Sequence, residues 1–233
     1  MSLLYPLLRT LSLLAILASG CATAAPPVDP LLAATPVSAK AAVTVALQAM
    51  RCAVAGGVPA PARLAVIDYS KPSTENRLWV FDLVANTLLY EERVAHGRNS
   101  GENLAANFSN ESGSYASSLG LFRTRDAYVG RNGYSLRMQG LEPGFNDNAM
   151  RRAIVIHGAD YVSEAFVRKV GRIGRSLGCP AVRKKVAHAL IDTIQHGQFV
   201  FSYYPDPQWL AQSRLVNCGS GATARHDRIA SAP

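Results

Sequence analysis

Two short stretches decide the fold of this chain: RSLGCP at 175–180 and AIVIHG at 153–158. The upstream stretch is typical of a buried strand, and it ends in a histidine followed by a glycine. A cysteine nucleophile needs a base nearby, and a glycine beside it lets backbone N–H groups face a developing oxyanion. His157 and Cys179 are therefore candidate catalytic residues, although an isolated His–Cys pair is more often structural.

Composition places the chain among globular proteins. It has 233 residues and a net charge of +8, with 48% hydrophobic and 17% charged residues. This balance excludes a disordered polymer. No apolar run of 18 residues is uninterrupted, so we expect no transmembrane segment.

The N-terminus has the pattern of a secretory signal peptide. Arg9 is the only charged residue before Asp29, and an apolar run is followed by small residues. We favour cleavage after Ala24; the alternative is a lipoprotein-type cleavage that would make Cys21 a lipid anchor. Either event exports the protein from the cytoplasm.

Export makes the cysteine count informative. Without Cys21, the mature chain keeps Cys52, Cys179 and Cys218. Oxidising compartments tend to pair thiols, so an odd count implies that one cysteine is free, mixed or intermolecular.

Short strand-like runs dominate the chain after Arg63. We expect strands over 64–69, 77–83, 87–94, 119–125, 153–157 and 198–204, and helices over 39–55, 163–170 and 184–195. Residues 99–118 form a long polar loop, which is either a substrate lid or a plain surface loop. The pattern predicts a mainly β sandwich or barrel with a few peripheral helices.

The two opening stretches resemble the signature of the L,D-transpeptidase catalytic domain family, in its divergent YkuD-like branch. That family has His-Gly at a strand end and, after a spacer, Ser-His-Gly-Cys. This chain has HG at 157–158 and SLGC at 176–179. A further run, SSLGLF at 117–122, is similar to the Thr-Pro-x-Gly that begins a strand in the family. The likeness covers about residues 63–204 and implies an L,D-transpeptidase-type β-fold.

The resemblance also implies residue roles. Cys179 would be the nucleophile and His157 its base, with the imidazole held by the carbonyl of Gly158. The backbone N–H groups of Leu177, Gly178 and Cys179 would form the oxyanion hole.

The sequence departs from the family pattern beside the nucleophile. Leu177 replaces the second histidine of the family, and PAV at 180–182 stands where a polar residue or arginine is frequent. Both changes bear on substrate preference and rate. The candidate substrate-binding residues are Arg175, Ser176, His96, Asn99 and Arg183.

The chain is thus predicted to have four parts: a signal peptide (1–24), a linker with an N-terminal helix (25–61), the catalytic domain (62–218) and a disordered tail (219–233). Cys52 and Cys218 flank the resembling region. They could be two separate thiols, but we predict one disulfide that joins the N-terminal helix to the C-terminus.

The implied function is L,D-transpeptidation of peptidoglycan stem peptides through a cysteine thioester, with release of D-alanine, in the periplasm or cell envelope of a bacterium. The alternatives are L,D-carboxypeptidase or amino-acid exchange activity at the same site, and a non-catalytic exported module that binds the cell wall. A sortase-like enzyme is disfavoured because its Thr-x-Thr-Cys strand is absent. No metal-ligand spacing occurs, so we expect no metal or cofactor. We expect no nucleic-acid partner, and the basic charge favours an anionic wall.

Overall fold

The computed structural model describes residues 29–218. The predicted signal peptide (1–24), the candidate anchor Cys21 and the predicted tail (219–233) lie outside the described residues. A short helix, α1 (Pro30–Ala34), opens the described chain, and the carboxylate of Asp29 caps it by accepting a hydrogen bond from the N–H of Leu31. Part of the predicted linker is therefore helical.

Helix α2 (Lys40–Ala55) follows a 3-10 turn (Val37–Ala39). Its buried face consists mostly of alanines together with Val43 and Leu47. By length and composition, Val37–Ala55 could also cross a membrane. In this structure, however, the inner face of the helix lies in the hydrophobic core of the domain.

Nine strands form one sheet in the described part of the chain. Their bounds are β1 (Arg63–Asp68), β2 (Leu78–Asp82), β3 (Thr87–Glu92), β4 (Val94–Ala95), β5 (Gly120–Gly130), β6 (Gly133–Gly140), β7 (Val155–Ala159), β8 (Ala181–Arg183) and β9 (Phe199–Tyr203). The order across the sheet is β3-β2-β1-β9-β5-β6-β7-β8-β4. The pairs β1–β9 and β7–β8 are parallel, and the other neighbours are antiparallel.

The sheet curls until it is nearly closed. Strands β3 and β4 are its two edges, yet only Arg93 separates them in the chain. Because consecutive Cα atoms are about 3.8 Å apart, edges joined by one residue must lie close together. The mainly β fold class predicted from the sequence is confirmed.

Four further helices complete the described chain: α3 (Glu164–Val170), α4 (Lys184–Ile194), α5 (Pro207–Gln212) and α6 (Arg214–Asn217). Helix α4 packs against β7 at Gly158, where an added Cβ would lie 2.8 Å from the Cβ of Ala187. A glycine at this position therefore lets the helix approach the strand that carries His157.

Several elements differ from the sequence-based expectation. The run predicted as one strand over 87–94 is divided at Arg93 into β3 and β4. Strand β6, the hairpin partner of β5, was not predicted, and neither were β8, α5 and α6. The sequence of β6 nonetheless carries the apolar–polar alternation of a half-buried strand, since apolar residues at 134, 136 and 138 alternate with polar residues at 135, 137 and 139.

Candidate active site

Two parallel strands bring the predicted catalytic residues together. On β7, His157 is paired with Ala181 of β8, two residues beyond Cys179. The N–H of His157 also donates to the carbonyl of Pro180 (3.3 Å), the residue that follows the cysteine. The pairing of β7 with β8 thus places the histidine beside the cysteine turn, although 22 residues separate the two in sequence.

His157 is held in one orientation and one tautomer. Its Nδ1 lies 3.0 Å from the carbonyl oxygen of Gly158. A carbonyl oxygen can only accept, so Nδ1 carries the hydrogen and Nε2 keeps its lone pair. Burial lowers the pKa of His157, and the bond to Gly158 only partly opposes this effect. The imidazole is therefore neutral near pH 7 and suited to accept a proton at Nε2.

Cys179 is the only free cysteine among residues 29–218. Its Sγ accepts a hydrogen bond from the N–H of Val155 (3.5 Å) and donates to the carbonyl of Ala153 (3.7 Å). Burial raises the pKa of the thiol, opposed by that N–H and by the charge of Arg152. The residue is 9% exposed, and His157 is not among the hydrogen-bond partners of its sulfur within residues 29–218. The thiol is thus neutral and sheltered at rest.

The carbonyl that receives the thiol belongs to a strained residue. Ala153 has a φ of 53°, in the left-handed region that alanine rarely adopts. This conformation costs about 1–2 kcal/mol. It turns the chain just before β7, where the Ala153 carbonyl and the Val155 N–H both meet the sulfur.

The turn that carries Cys179 is braced by Ser176. Its hydroxyl donates to the carbonyl of Cys179 (2.6 Å) and accepts from the N–H of Gly178 (3.1 Å). Gly178 has a φ of 118°, and an added Cβ would lie 2.9 Å from the carbonyl oxygen of Ala116. Only glycine fits this backbone without displacing its neighbours.

This brace changes the set of predicted oxyanion donors. The N–H of Gly178 is occupied by Ser176 in the resting site. Among the residues that the structure describes, the N–H groups of Leu177 and Cys179 donate to no other protein group. Leu177 is 58% exposed, so this residue faces solvent beside Cys179.

The polar loop over 99–118 is hydrogen-bonded to the turn that carries Cys179. The hydroxyl of Ser117 donates to the carbonyl of Gly178 (3.1 Å) and accepts from the N–H of Gly97 (3.0 Å). The N–H of Ser117 in turn donates to the hydroxyl of Ser100 (2.8 Å). The part of the loop beside the cysteine is therefore a wall of the site in this structure.

Arg152 is a site residue that the sequence analysis missed. Its guanidinium donates to the carbonyls of Ser109 (2.6 Å) and Ala116 (2.7 Å), and to two serine hydroxyls of the same loop. Its positive charge also acts on the thiol of Cys179. In sequence it is the second of two arginines before a strand, and nothing local indicates which one turns towards the loop.

Three of the predicted substrate-binding residues have structural partners. Arg175 donates to the carbonyl of Gly101 (2.9 Å) and to the carboxylate of Glu102 (2.6 Å). Arg183 makes a two-pronged ion pair with Glu92 (2.8 and 2.6 Å). Ser176 holds the nucleophile turn, as described above.

The remaining two predicted substrate-binding residues differ in exposure. The side-chain amide of Asn99 donates to the carbonyl of Ser114 (2.8 Å), and the residue is exposed. His96 is fully buried: its Nδ1 accepts from Arg77 (2.7 Å), and Nε2 donates to the carbonyl of Gly101 (3.3 Å). The prediction that His96 binds substrate is therefore corrected, because both ring nitrogens are occupied and no surface remains.

The other two described cysteines lie away from Cys179. Cys52 on α2 and Cys218 after α6 form a disulfide bond that closes a separation of 166 residues. It joins the N-terminal helix to the end of the described chain. Within residues 29–218, no group of three His, Cys, Asp or Glu side chains is placed to hold a metal ion.

The fold and the site define a β-domain in which a neutral histidine within β7 lies beside the turn that carries a sheltered cysteine just before β8. The sequence profile of the L,D-transpeptidase catalytic domain matches residues 35–203, about seven tenths of the chain. The chain belongs to this family. The match begins before α2, so the helix is part of the family domain, whereas the motif likeness began only near residue 63.

Comparison with solved structures finds L,D-transpeptidases at low identity. The enzyme from Mycobacterium smegmatis is 13% identical, with 61% of this chain and 59% of that chain covered and a TM-score of 0.39. L,D-transpeptidase 3 from Mycobacterium tuberculosis is 12% identical, with 62% of each chain covered and a TM-score of 0.39. The L,D-transpeptidase LdtMt1, in complex with imipenem, is 14% identical, with 61% and 59% covered and a TM-score of 0.38.

The chain spans about three fifths of the length of these solved structures. No curated protein matches it. The family assignment therefore rests on the profile match.

Proposed function

We propose that this chain is an exported cysteine acyltransferase that carries out L,D-transpeptidation on peptidoglycan stem peptides. The observation that carries the proposal is the orientation of His157. The Gly158 carbonyl holds Nδ1–H, which leaves Nε2 unprotonated on a ring that strand pairing places beside the Cys179 turn. Family membership supports the class of reaction.

Acylation at this site requires two residues, Cys179 and His157, and no other protein group gains or loses a proton. The sulfur of Cys179 forms a bond to the carbonyl carbon of the third stem residue, and Nε2 of His157 takes the thiol proton. The bond from that carbon to the nitrogen of the terminal D-alanine then breaks. The proton passes from Nε2 to the leaving nitrogen, and D-alanine departs.

Deacylation reverses the proton path. The amine of an acceptor stem attacks the thioester carbon and loses a proton to Nε2. The carbon–sulfur bond breaks, and the proton returns to the sulfur. The free N–H groups of Leu177 and Cys179 are the proposed donors to the oxyanion in both halves of the reaction.

The resting geometry sets the starting state of this chemistry. The pKa of Cys179 is raised and that of His157 is lowered, both chiefly by burial, so the pair begins as thiol and imidazole. The sulfur must leave the carbonyl of Ala153 to meet Nε2. Until then, Ala153 and Val155 shield the thiol, which suits a free cysteine in an oxidising compartment.

The proposed location of the enzyme rests on the sequence alone. The signal-peptide pattern of residues 1–24 supports export to the periplasm or cell envelope, with lipidation at Cys21 as the alternative. The net charge of +8, which becomes +7 when cleavage removes Arg9, suits an anionic wall.

Acylation by a carbapenem tests the nucleophile. The lactam carbonyl of this electrophile should form a thioester with Cys179, and peptide mass mapping should place the adduct there. Cys179→Ala should form no adduct. His157→Ala should form it more slowly, and His188→Ala, which removes an exposed histidine from α4, should match the wild type. An adduct elsewhere, or none on the wild type, would overturn the proposal.

Product analysis on stem tetrapeptides then identifies the acceptor. Transpeptidation gives a cross-linked dimer and D-alanine. Release of D-alanine with a tripeptide alone would instead establish L,D-carboxypeptidase activity, and incorporation of an added free amino acid would establish exchange. Failure of a Cys179-dependent reaction on any of these substrates would favour a wall-binding module.

A further inference from the structure

A row of side chains runs across the sheet through the catalytic histidine. Strand register pairs Tyr128 of β5 with Ser135 of β6, Ser135 with His157 of β7, and His157 with Ala181 of β8. Residues paired across strands point to the same face of a sheet. Tyr128, Ser135 and His157 therefore lie on one face, about two strand spacings, or roughly 10 Å, from end to end.

Arg137 belongs to this face. It is two residues from Ser135 along β6, and it is paired with Val155, whose N–H binds the sulfur of Cys179. Its position is diagonal to His157 across the two strands, a separation that a long side chain spans. The guanidinium lies over the ring of Tyr128, with its carbon 3.9 Å from the ring centroid.

Arg137 has no ionic partner in the described part of the chain. Neither a salt bridge nor a hydrogen bond of its side chain occurs among residues 29–218, and the side chain is only half-buried. Stacking uses the flat face of a guanidinium and leaves its N–H groups free at the edge. The ring also restricts the side chain, so a ligand would meet a donor that is already oriented.

The chemistry of these donors selects the ligand. A planar guanidinium with free edge N–H groups matches a carboxylate in a two-pronged arrangement. By contrast, two other arginines near the nucleophile, Arg172 and Arg175, already share the carboxylate of Glu102. Arg137 is thus a cation available to a substrate that reaches His157.

We infer that Arg137, stacked on Tyr128, binds a carboxylate of the donor peptide during acylation of Cys179. The inference rests on the proposed function, because that function supplies a peptide with carboxylates near the scissile bond. Two groups have this chemistry: the terminal carboxylate of the leaving D-alanine, and a side-chain carboxylate of the third stem residue. Arg137 acts on binding and selectivity and takes no part in proton transfer.

Binding to an inactive full-length chain tests the inference without turnover. In a Cys179→Ala background, Arg137→Gln should weaken binding of a stem tetrapeptide by about tenfold or more, since it removes a charge-assisted pair. The matched control is Arg98→Gln. Arg98 also stacks on a tyrosine, Tyr115 (4.3 Å), but it lies on the segment that pairs with Ser176 rather than in the row of His157. This control should bind as the Cys179→Ala parent does.

Two modified peptides identify the carboxylate. One peptide is amidated at the C-terminus, and the other is amidated on the side chain of the third residue. The Cys179→Ala parent, which keeps Arg137, should bind one of them more weakly than the unmodified tetrapeptide, and that peptide identifies the carboxylate. Arg137→Gln should remove that preference. Equal binding by Arg137→Gln and its parent, a loss confined to Arg98→Gln, or no binding of the tetrapeptide would overturn the inference. Failure of the proposed function is a separate result, the absence of carbapenem adduct on Cys179 in the wild type.

Discussion

Acid should destabilise this protein through one buried histidine. His96 is fully buried, and its Nδ1 accepts a hydrogen bond from the guanidinium of Arg77. Protonation would place a second cation against the first and leave Nδ1–H facing another donor. Burial, followed by the charge of Arg77, lowers the pKa of His96 from 6.5 to about 4.

The sign and size of the effect follow from linkage. The unfolded chain binds the proton more tightly than the folded one, so this contribution to stability is present above pH 6.5 and is lost as the pH falls towards 4. At about 1.36 kcal/mol per pH unit, the full difference is about 3 kcal/mol. Between pH 7 and pH 5, the share lost is about 2 kcal/mol.

Urea unfolding at pH 7 and pH 5 measures this loss. The comparison is between the wild type and His96→Asn, whose amide oxygen can still accept from Arg77 but cannot titrate. The variant should be less stable at pH 7, because its shorter side chain places no donor where Nε2 of His96 contacts the carbonyl of Gly101, but its loss between the two pH values should be smaller by about 2 kcal/mol. Equal losses in both proteins would refute the reasoning.

Three further predictions concern the site and its frame. Gly178→Ala should lower stability by about 1–3 kcal/mol and abolish acylation of Cys179, because the added Cβ would meet the Ala116 carbonyl. Thermal unfolding measures the stability and mass spectrometry the acylation, and wild-type values in both would contradict the prediction. Reduction of the Cys52–Cys218 bond should cost up to about 5 kcal/mol by chain entropy, and urea midpoints with and without reductant measure it; an unchanged midpoint would argue against a structural role. Arg152→Gln should raise the pKa of Cys179, because it removes a positive charge that favours the thiolate, and should slow alkylation by iodoacetamide at pH 8 by about threefold. A pH profile of alkylation identical to that of the wild type would show that Arg152 does not act on the thiol.

The fold class and the two catalytic candidates were predictable because their signals are local. Helices α2 and α4 follow from apolar spacing, and the main strands follow from short apolar runs between turn residues. His157 and Cys179 were identified from two motifs of six residues each. The adjacent glycines were also predictable. Gly158 leaves its carbonyl open to the imidazole, and Gly178 lets backbone N–H groups face a developing oxyanion.

The surroundings of these residues were not predictable, because they depend on which strands pair. Nothing near His96 in the sequence indicates that Arg77 will cover it, so its substrate role was predicted wrongly. Arg152 was not predicted for the same reason, because its hydrogen-bond partners lie more than 30 residues away in the chain. Strand β6 is a different case, because apolar and polar residues alternate over 134–139 and this local signal was overlooked.

The sequence by itself indicated the family, the β-rich class and the candidate catalytic pair, because the strand-like runs and the two motifs are local signals. Only the tertiary structure decided how the site is built. The pairing of β7 with β8 orients His157 beside Cys179, and the pairing of β6 with β7 adds Arg137 to the same face. Strand register joins residues that are distant in the chain, and a change of one residue in register would turn these side chains to the opposite face.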